Sequence, residues 1–371
     1  MDEKLKKIII IVIGIFIVFI LFLFLVSSCK SRLTPELLEK EIVNKVENYY
    51  EKHEEELPSP NSVMVLSIND LSTRGIIKEL DNLLEKDTNC SGNITIENNN
   101  GYYMYSPSLS CSSPTKTYVT KNLKETLIEN TVTSGSGLYN LNNEYYFRGD
   151  NLNNYLTFDG IKWRITKINN NGTIRLLEDS RRQTVVWDNR YNTTKLSETG
   201  INSFINNGLN SRMKDYLDNI YNSEEVLSNK GKGYIKATTL CIGKRSTEET
   251  NNTGAIECTE TLDNQYLGLL QINEFLLASL DPNCSKTTAI ECTNYNYLAN
   301  FVNPYWSITA NSENNHQVYK ISTNVSSSNA SNNGMARLVI NISENTNVTG
   351  TGTEEDPFIV SGFDSELKKF K

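Results

Sequence analysis

Seven cysteines and two histidines bound most of the chemistry open to this chain of 371 residues. Six of the cysteines, Cys90, Cys111, Cys241, Cys258, Cys284 and Cys292, fall as three local couples, each closing a short loop. An even set at such separations fits structural disulfides in an oxidising compartment, although spacing alone does not choose among the pairings. Zinc would need close pairs such as Cys-x-x-Cys with histidine nearby, and neither occurs. His53 and His316 are widely separated, so a serine or cysteine nucleophile has few bases to draw on. Gly-x-Ser-x-Gly, His-Glu-x-x-His and the phosphate-binding loop are all missing from the sequence. Two carboxylates acting on a glycan need no local motif, so a glycosidase stays open at this level. Glu354, Glu355 and Asp356 have the chemistry for calcium, but an acidic turn in a solvated loop is the simpler account. No cofactor, metal or catalytic residue is therefore expected.

The position of this chemistry depends on the first apolar stretch, Ile8 to Val26, which carries no charge. As a helix it would reach roughly 28 Å, enough to span a hydrocarbon core. Lys4, Lys6 and Lys7 precede it, which predicts a cytoplasmic N-terminus and export of the residues that follow. The expectation is a single-pass protein of the cell membrane with the bulk of the chain extracellular, residues 1–30 forming the anchor or a lipoprotein signal. Val26-Ser27-Ser28-Cys29 resembles a lipobox, in which case Cys29 would be lipidated and become the mature N-terminus. An uncleaved anchor is preferred, because nineteen residues make a long core for a cleaved signal. A net charge of -8, with no basic stripe, argues against nucleic acid as a partner.

Beyond the anchor the fold class reads as α+β. Thr34, Pro35 and Glu36 form an N-cap, first-turn proline and first-turn acid, and Leu38, Ile42, Val46, Tyr49, His53 and Leu57 recur at helical spacing until Pro58 and Pro60. His53 continues that stripe and is a packing residue. Strands are expected at Ser62 to Ile68, Asn93 to Glu97 and Tyr102 to Ser106, the last two joined through Asn98 to Gly101 and clasped by Cys90 and Cys111. A membrane helix, an amphipathic helix and a small disulfide-closed sheet resemble the layout of pilin-like proteins over about residues 1–115, with residues 31–115 as the pilin-like α+β domain. The prepilin leader, its Gly-Phe junction and the following glutamate are missing.

Residues 116–137 end in Thr133-Ser134-Gly135-Ser136-Gly137 and read as a linker. A second, larger domain is expected over residues 138–371, opening with short strands at Glu144 to Arg148, Tyr155 to Phe158, Ile161 to Ile168 and Thr173 to Glu178. Tyr146-Phe147-Arg148-Gly149, Asn153-Asn154-Tyr155 and Gly160-Ile161-Lys162-Trp163-Arg164-Ile165 resemble a domain of uncharacterised surface proteins in low-GC Gram-positive bacteria. Leu240 to Arg245, Gln265 to Leu270, Trp306 to Thr309 and Gly350 to Thr353 extend the resemblance across Leu138 to Ser361. It implies an exported domain with a C-type-lectin-like or related α+β fold and no established activity. A late Arg-Pro-Val of the family stands here as Arg337-Leu338-Val339. The calcium-binding Glu-Pro-Asn and Trp-Asn-Asp triplets of true C-type lectins are missing, Trp187-Asp188-Asn189 having a different order.

Trp163 and Trp187 read as core anchors, with a sugar-stacking platform as the sharper alternative. Arg148 and Arg164 are expected to pair with Asp150 or Asp159, and Ile201 to Tyr221 to form a helix covering the sheet. Two functions of different class follow: a non-enzymatic surface protein binding a glycan or protein ligand, or an extracellular hydrolase acting on glycans.

Overall fold

The computed structural model describes residues 33–78, 84, 87–114, 116–180 and 183–368. The Ile8 to Val26 stretch and Cys29, and with them the expected anchor, lie outside the described residues. Among the described residues, no helix is long and apolar enough to cross a membrane. The described chain is mixed α+β, mostly sheet with a few helices.

Thr34 stands in extended conformation and its hydroxyl accepts from the Leu37 N–H at 3.4 Å, so helix α1, Pro35–Tyr50, starts where the Thr-Pro-Glu run predicts. Leu38, Ile42, Val43, Val46 and Tyr50 form one buried stripe along it. That stripe packs on an antiparallel sheet in the order β1 (Val63–Ser67), β2 (Asn89–Asn99), β3 (Tyr102–Ser112), β4 (Thr117–Val119). The helix stops at Tyr50, before the prolines, and His53 folds back to stack on Tyr49 with ring centroids 4.1 Å apart. A short helix α2, Ile68–Thr73, follows β1. Asn100 and Gly101 turn the β2/β3 hairpin with φ of 53° and 87°, the left-handed pair that a two-residue turn matching the strand twist requires. Cys90 sits directly opposite Cys111 in this hairpin, and the two are disulfide-bonded.

The expected linker over residues 116–137 is instead built into both halves of the molecule. After β4, Thr120 is held by Leu109, its N–H donating to the Leu109 carbonyl at 2.9 Å and its hydroxyl accepting the Leu109 N–H at 2.7 Å. Strand β5, Lys121–Asn122, then pairs with β22, Asn347–Thr349. Helix α3, Leu123–Glu129, buries Leu123 and Leu127. Polar composition suggested a spacer, but two leucines one helical turn apart and a partner strand more than 200 residues away decided otherwise.

The distal half carries a nine-stranded mixed sheet in the order β21 (Val339–Ile342), β10 (Ile174–Glu178), β9 (Ile161–Ile168), β8 (Tyr155–Phe158), β23 (Phe358–Val360), β22, β5. The hairpin of β6 (Gly137–Leu141) and β7 (Glu144–Arg148) joins it through β9. A second sheet runs β11 (Thr184–Val186), β20 (Asn333–Met335), β17 (Tyr305–Asn311), β18 (Gln317–Ile321), β19 (Val325–Asn329), with β15 (Lys244–Arg245) beside β17. The expected helix from Ile201 forms only as α4, Arg212–Asn222. Asn207 and Gly208, both at positive φ, turn a small hairpin of β12 (Ile205–Asn206) and β13 (Leu209–Asn210) ahead of it. Ser211 then caps the helix by accepting the Lys214 N–H at 3.1 Å. One apolar core fills the distal half and takes in Met104 of β3, so the two cores abut.

A candidate polar binding cleft

The tryptophans and arginines that stand out in the sequence are structural. Trp163, Trp187 and Trp306 are fully buried. Trp163 donates through Nε1 to the Phe158 carbonyl at 3.2 Å, and Trp306 to that of Val185 at 2.9 Å. With no exposed ring face, Trp163 and Trp187 offer no platform to a sugar. Arg148 and Arg164 do not pair with Asp150 or Asp159. Arg148 donates to the carbonyls of Leu277 (2.7 Å) and Ser279 (2.8 Å), and Arg164 to Asn154 Oδ1 (2.8 Å) while lying 3.8 Å over the Tyr155 ring. Asp159, at φ of 51° in the β8/β9 turn, is instead held by the Ser228 N–H at 2.7 Å and by Lys368 Nζ at 2.9 Å.

Two further disulfides, Cys241–Cys258 and Cys284–Cys292, close the loops that precede β17. Within the first of these loops Arg245 and Glu257 form a fully buried ion pair at 3.3 Å. Burial pushes the Glu257 carboxyl up, against the lowering effect of the Arg245 charge and of the Asn273 N–H. The acidic turn at 354–356 is engaged internally, Glu354 by Lys162 at 2.8 Å and Asp356 by the Thr351 hydroxyl at 2.8 Å. Among the described residues, no group of three His, Cys, Asp or Glu side chains is placed to hold a metal.

What the fold does assemble is a cleft of about 650 Å³ on the distal half. One wall is β7 and β9, presenting Glu144, Tyr146 and Lys167, and continues into the turn Asn169-Asn170-Asn171. The other is β14 (Thr238–Cys241), with the Cys241–Cys258 disulfide behind it, and the loop Thr253-Gly254-Ala255. The floor is the start of helix α6 (Ile272–Ala278), where Gln271 and Asn273 point in beside Arg175. Gly254 adopts φ of 81°, and a Cβ there would stand 2.7 Å from Asn273 Nδ2, so this close approach needs glycine.

The charges of the cleft are already paired. Lys167 lies 3.3 Å from Glu144, whose other oxygen accepts from the Tyr146 hydroxyl at 2.5 Å. Burial alone would raise the Glu144 carboxyl, but the Lys167 charge and the bonds from Tyr146, Lys167 and Asn170 outweigh it and hold it below its ordinary range. Arg175 is locked to buried Glu274 at 2.5 Å, and Glu274 also accepts the Gln271 N–H at 2.9 Å. Two amide atoms remain: Asn273 Oδ1 and Gln271 Nε2 are buried without a hydrogen-bond partner. Leaving such atoms unmatched is costly, and both belong to residues that line the cleft.

No family model, characterised protein or solved structure matches this chain. Any functional reading therefore rests on the cleft's own chemistry. Apart from Cys241 and Cys258, which stand out as a disulfide couple, its residues carry no signal of a site in the sequence, because asparagine and threonine are common throughout the chain and form no motif here.

Proposed function

We propose that this protein is a membrane-tethered, extracellular, non-enzymatic binding protein that takes a neutral glycan in the polar cleft. The Ile8 to Val26 stretch would provide the single-pass anchor in the cell membrane. Three disulfides fit an oxidising compartment outside the cytosol. The α1 helix on a four-stranded antiparallel sheet supports a pilin-like layout for the proximal half, and the short helices and disulfide-closed loops around two sheets support a lectin-like distal half.

The observation that carries the reading is the pair of buried, unpartnered amide atoms on Asn273 and Gln271, in a cleft lined by asparagine and threonine. Amides suit sugar hydroxyls, which both donate and accept. A hydrolase would need a second carboxylate, one of the two protonated at working pH. The cleft lining holds one, Glu144, and its pairing with Lys167 keeps it ionised.

Binding of the full-length chain in detergent to an array of cell-wall and host-type oligosaccharides tests the proposal. Asn273→Ala should weaken binding about tenfold, the scale of one hydrogen bond to a buried group. Asn170→Trp, at the exposed rim, should abolish it by filling the mouth. Glycan binding that survives both substitutions, or turnover of a bound glycan, would overturn the proposal.

A further inference from the structure

Where the two halves meet, an amine, a carboxamide and a carboxylate stand in mutual contact. Glu97 and Asn99, two residues apart on β2, share the sheet face turned toward the distal half and are 3% and 5% exposed. Lys236 reaches them from the segment after helix α5, Asn229–Tyr234, its backbone fixed by an N–H bond to the Asn341 carbonyl at 2.8 Å. Lys236 Nζ lies 2.5 Å from Glu97 Oε1 and 2.8 Å from Asn99 Oδ1. Asn99 Nδ2 donates to the Gly233 carbonyl at 2.5 Å. The second Glu97 oxygen accepts from the Ser343 hydroxyl at 2.6 Å and from Asn345 Nδ2 at 3.2 Å.

We propose that Lys236 and Asn99 form an intramolecular amide bond, with Glu97 as proton carrier, which joins the proximal sheet covalently to the distal half. The amide carbon of Asn99 is one bond beyond the oxygen that Lys236 contacts, so a small turn of the lysine stem carries the nitrogen from its hydrogen-bonding position onto the face of the carbonyl. Glu97 takes a proton from the lysine ammonium and frees the nitrogen lone pair, which attacks Cγ of Asn99. The carbonyl π pair moves to Oδ1, where the positive charge of the lysine nitrogen stabilises it. Collapse restores the carbonyl and breaks the Cγ–Nδ2 bond. The leaving nitrogen departs with that electron pair and with both protons given up by lysine, relayed through Glu97, as ammonium. Glu97 returns to carboxylate, and no oxidant or outside reactant enters.

A second contact shows what the carboxylate adds. Lys244 Nζ lies 2.9 Å from Asn202 Oδ1, an equal approach of amine to buried carboxamide. Asn202 Nδ2 is held there by the carbonyls of Asn311, Asn314 and Gln317, and the Lys244 amine has no hydrogen-bonded carboxylate among the described residues. That pair lacks a base and should remain two free side chains.

The test is intact-mass and peptide analysis of the full-length chain, purified in detergent with its disulfides reduced and alkylated. The expected mass falls short of the sequence by one ammonia, and digestion yields one branched peptide joining the Asn99 and Lys236 segments. Glu97→Gln, Lys236→Arg and Asn99→Ala should each abolish the branch, and Asn99→Asp should exchange the loss of ammonia for a loss of water. A wild-type chain of full mass with unmodified Asn99 and Lys236 peptides would overturn the proposal whatever the variants do. An ammonia loss mapping to an imide at Asn100-Gly101, or a branch joining Lys244 to Asn202, would overturn it as well.

Discussion

The proximal and distal halves stabilise themselves by different means. The proximal half buries an apolar helix stripe on a sheet, and the ion pairs within it, Lys45 with Glu41 and Arg74 with Glu56, have side chains more than a third exposed. Such pairs contribute little. The distal half, beside exposed pairs such as Lys286 with Glu248, also buries charges: Arg245 and Glu257 are wholly inaccessible, Arg175 and Glu274 nearly so, and Asp188 is buried against Arg190. Chain geometry accounts for the difference. A helix and a hairpin satisfy their own backbone, whereas the long loops between β15 and β17 leave carbonyls without sheet partners. The Arg245 guanidinium supplies donors to the Asn251 and Glu249 carbonyls, Asn252 Oδ1 and Thr287 Oγ1 at 2.7 to 3.2 Å. Buried charge here replaces secondary structure.

The sharpest way to break this contrast is Arg245→Ala. It would strip four acceptors of their donor and leave Glu257 buried without its counter-charge, a cost of about 3–5 kcal/mol. Denaturant unfolding of the full-length chain should show that loss, and hydrogen exchange should place it in the loops between β15 and β17 with the β2/β3 amides unaffected. A loss below about 1 kcal/mol would mean that the loops hold themselves.

A smaller effect belongs to Glu39, where α1 meets the segment that follows β23. Its carboxyl is buried, and that burial pushes it up from an ordinary 4.5 to about 7, only partly offset by Tyr118, Ser361 and the Gly362 backbone, with nearby Glu36 adding to the rise. A carboxyl raised in the folded state binds its proton more tightly than in the unfolded chain. Its contribution is therefore complete below pH 4.5 and is lost as the pH rises to about 7. Thermal unfolding between those limits should show a decline on the order of 2–3 kcal/mol that Glu39→Gln removes. Equal pH profiles for the two proteins would show that Glu39 is solvated.

The same division governs what could be read from the sequence. Thr34-Pro35, Asn100-Gly101 and Asp159-Gly160 act through their own backbone, and the helix and hairpins they start lie where expected. The cysteine couples pair locally because each loop is short. Residues 117–129 were illegible as structure because β5 finds its partner in β22, and Arg148 could not be assigned because its acceptors are the carbonyls of Leu277 and Ser279. The helix expected from Ile201 shows the limit of periodicity: Leu209, Met213 and Leu217 keep helical spacing, yet Asn207-Gly208 takes positive φ and turns the chain, so the helix begins only at Arg212. The cleft was invisible for a similar reason, since its walls come from segments about 30 to 100 residues apart that share no motif.

The finest test compares two helix caps, one in each half. Ser67 and Asp70 form a reciprocal cap on α2: Ser67 Oγ accepts the Asp70 N–H at 3.0 Å, and the Asp70 carboxylate accepts the Ser67 N–H at 3.0 Å. Every partner lies within three residues, so Ser67→Ala should cost about 1 kcal/mol, confined to the start of α2. Asn122 caps α3 in the same manner, accepting the Glu125 N–H at 3.1 Å, but its amide also donates to the Glu344 carbonyl at 2.8 Å. Asn122→Ala therefore removes a cap and a bond between segments 222 residues apart, and Asn122→Asp keeps the first while losing the second. If Asn122→Asp proves as mild as a cap-neutral change and Asn122→Ala matches Ser67→Ala, the long-range bond contributes nothing and the contrast between the halves is weaker than their buried charges suggest. An Asn122→Asp cost as large as that of Ser67→Ala would show that the distal half depends on distant partners even at a helix start.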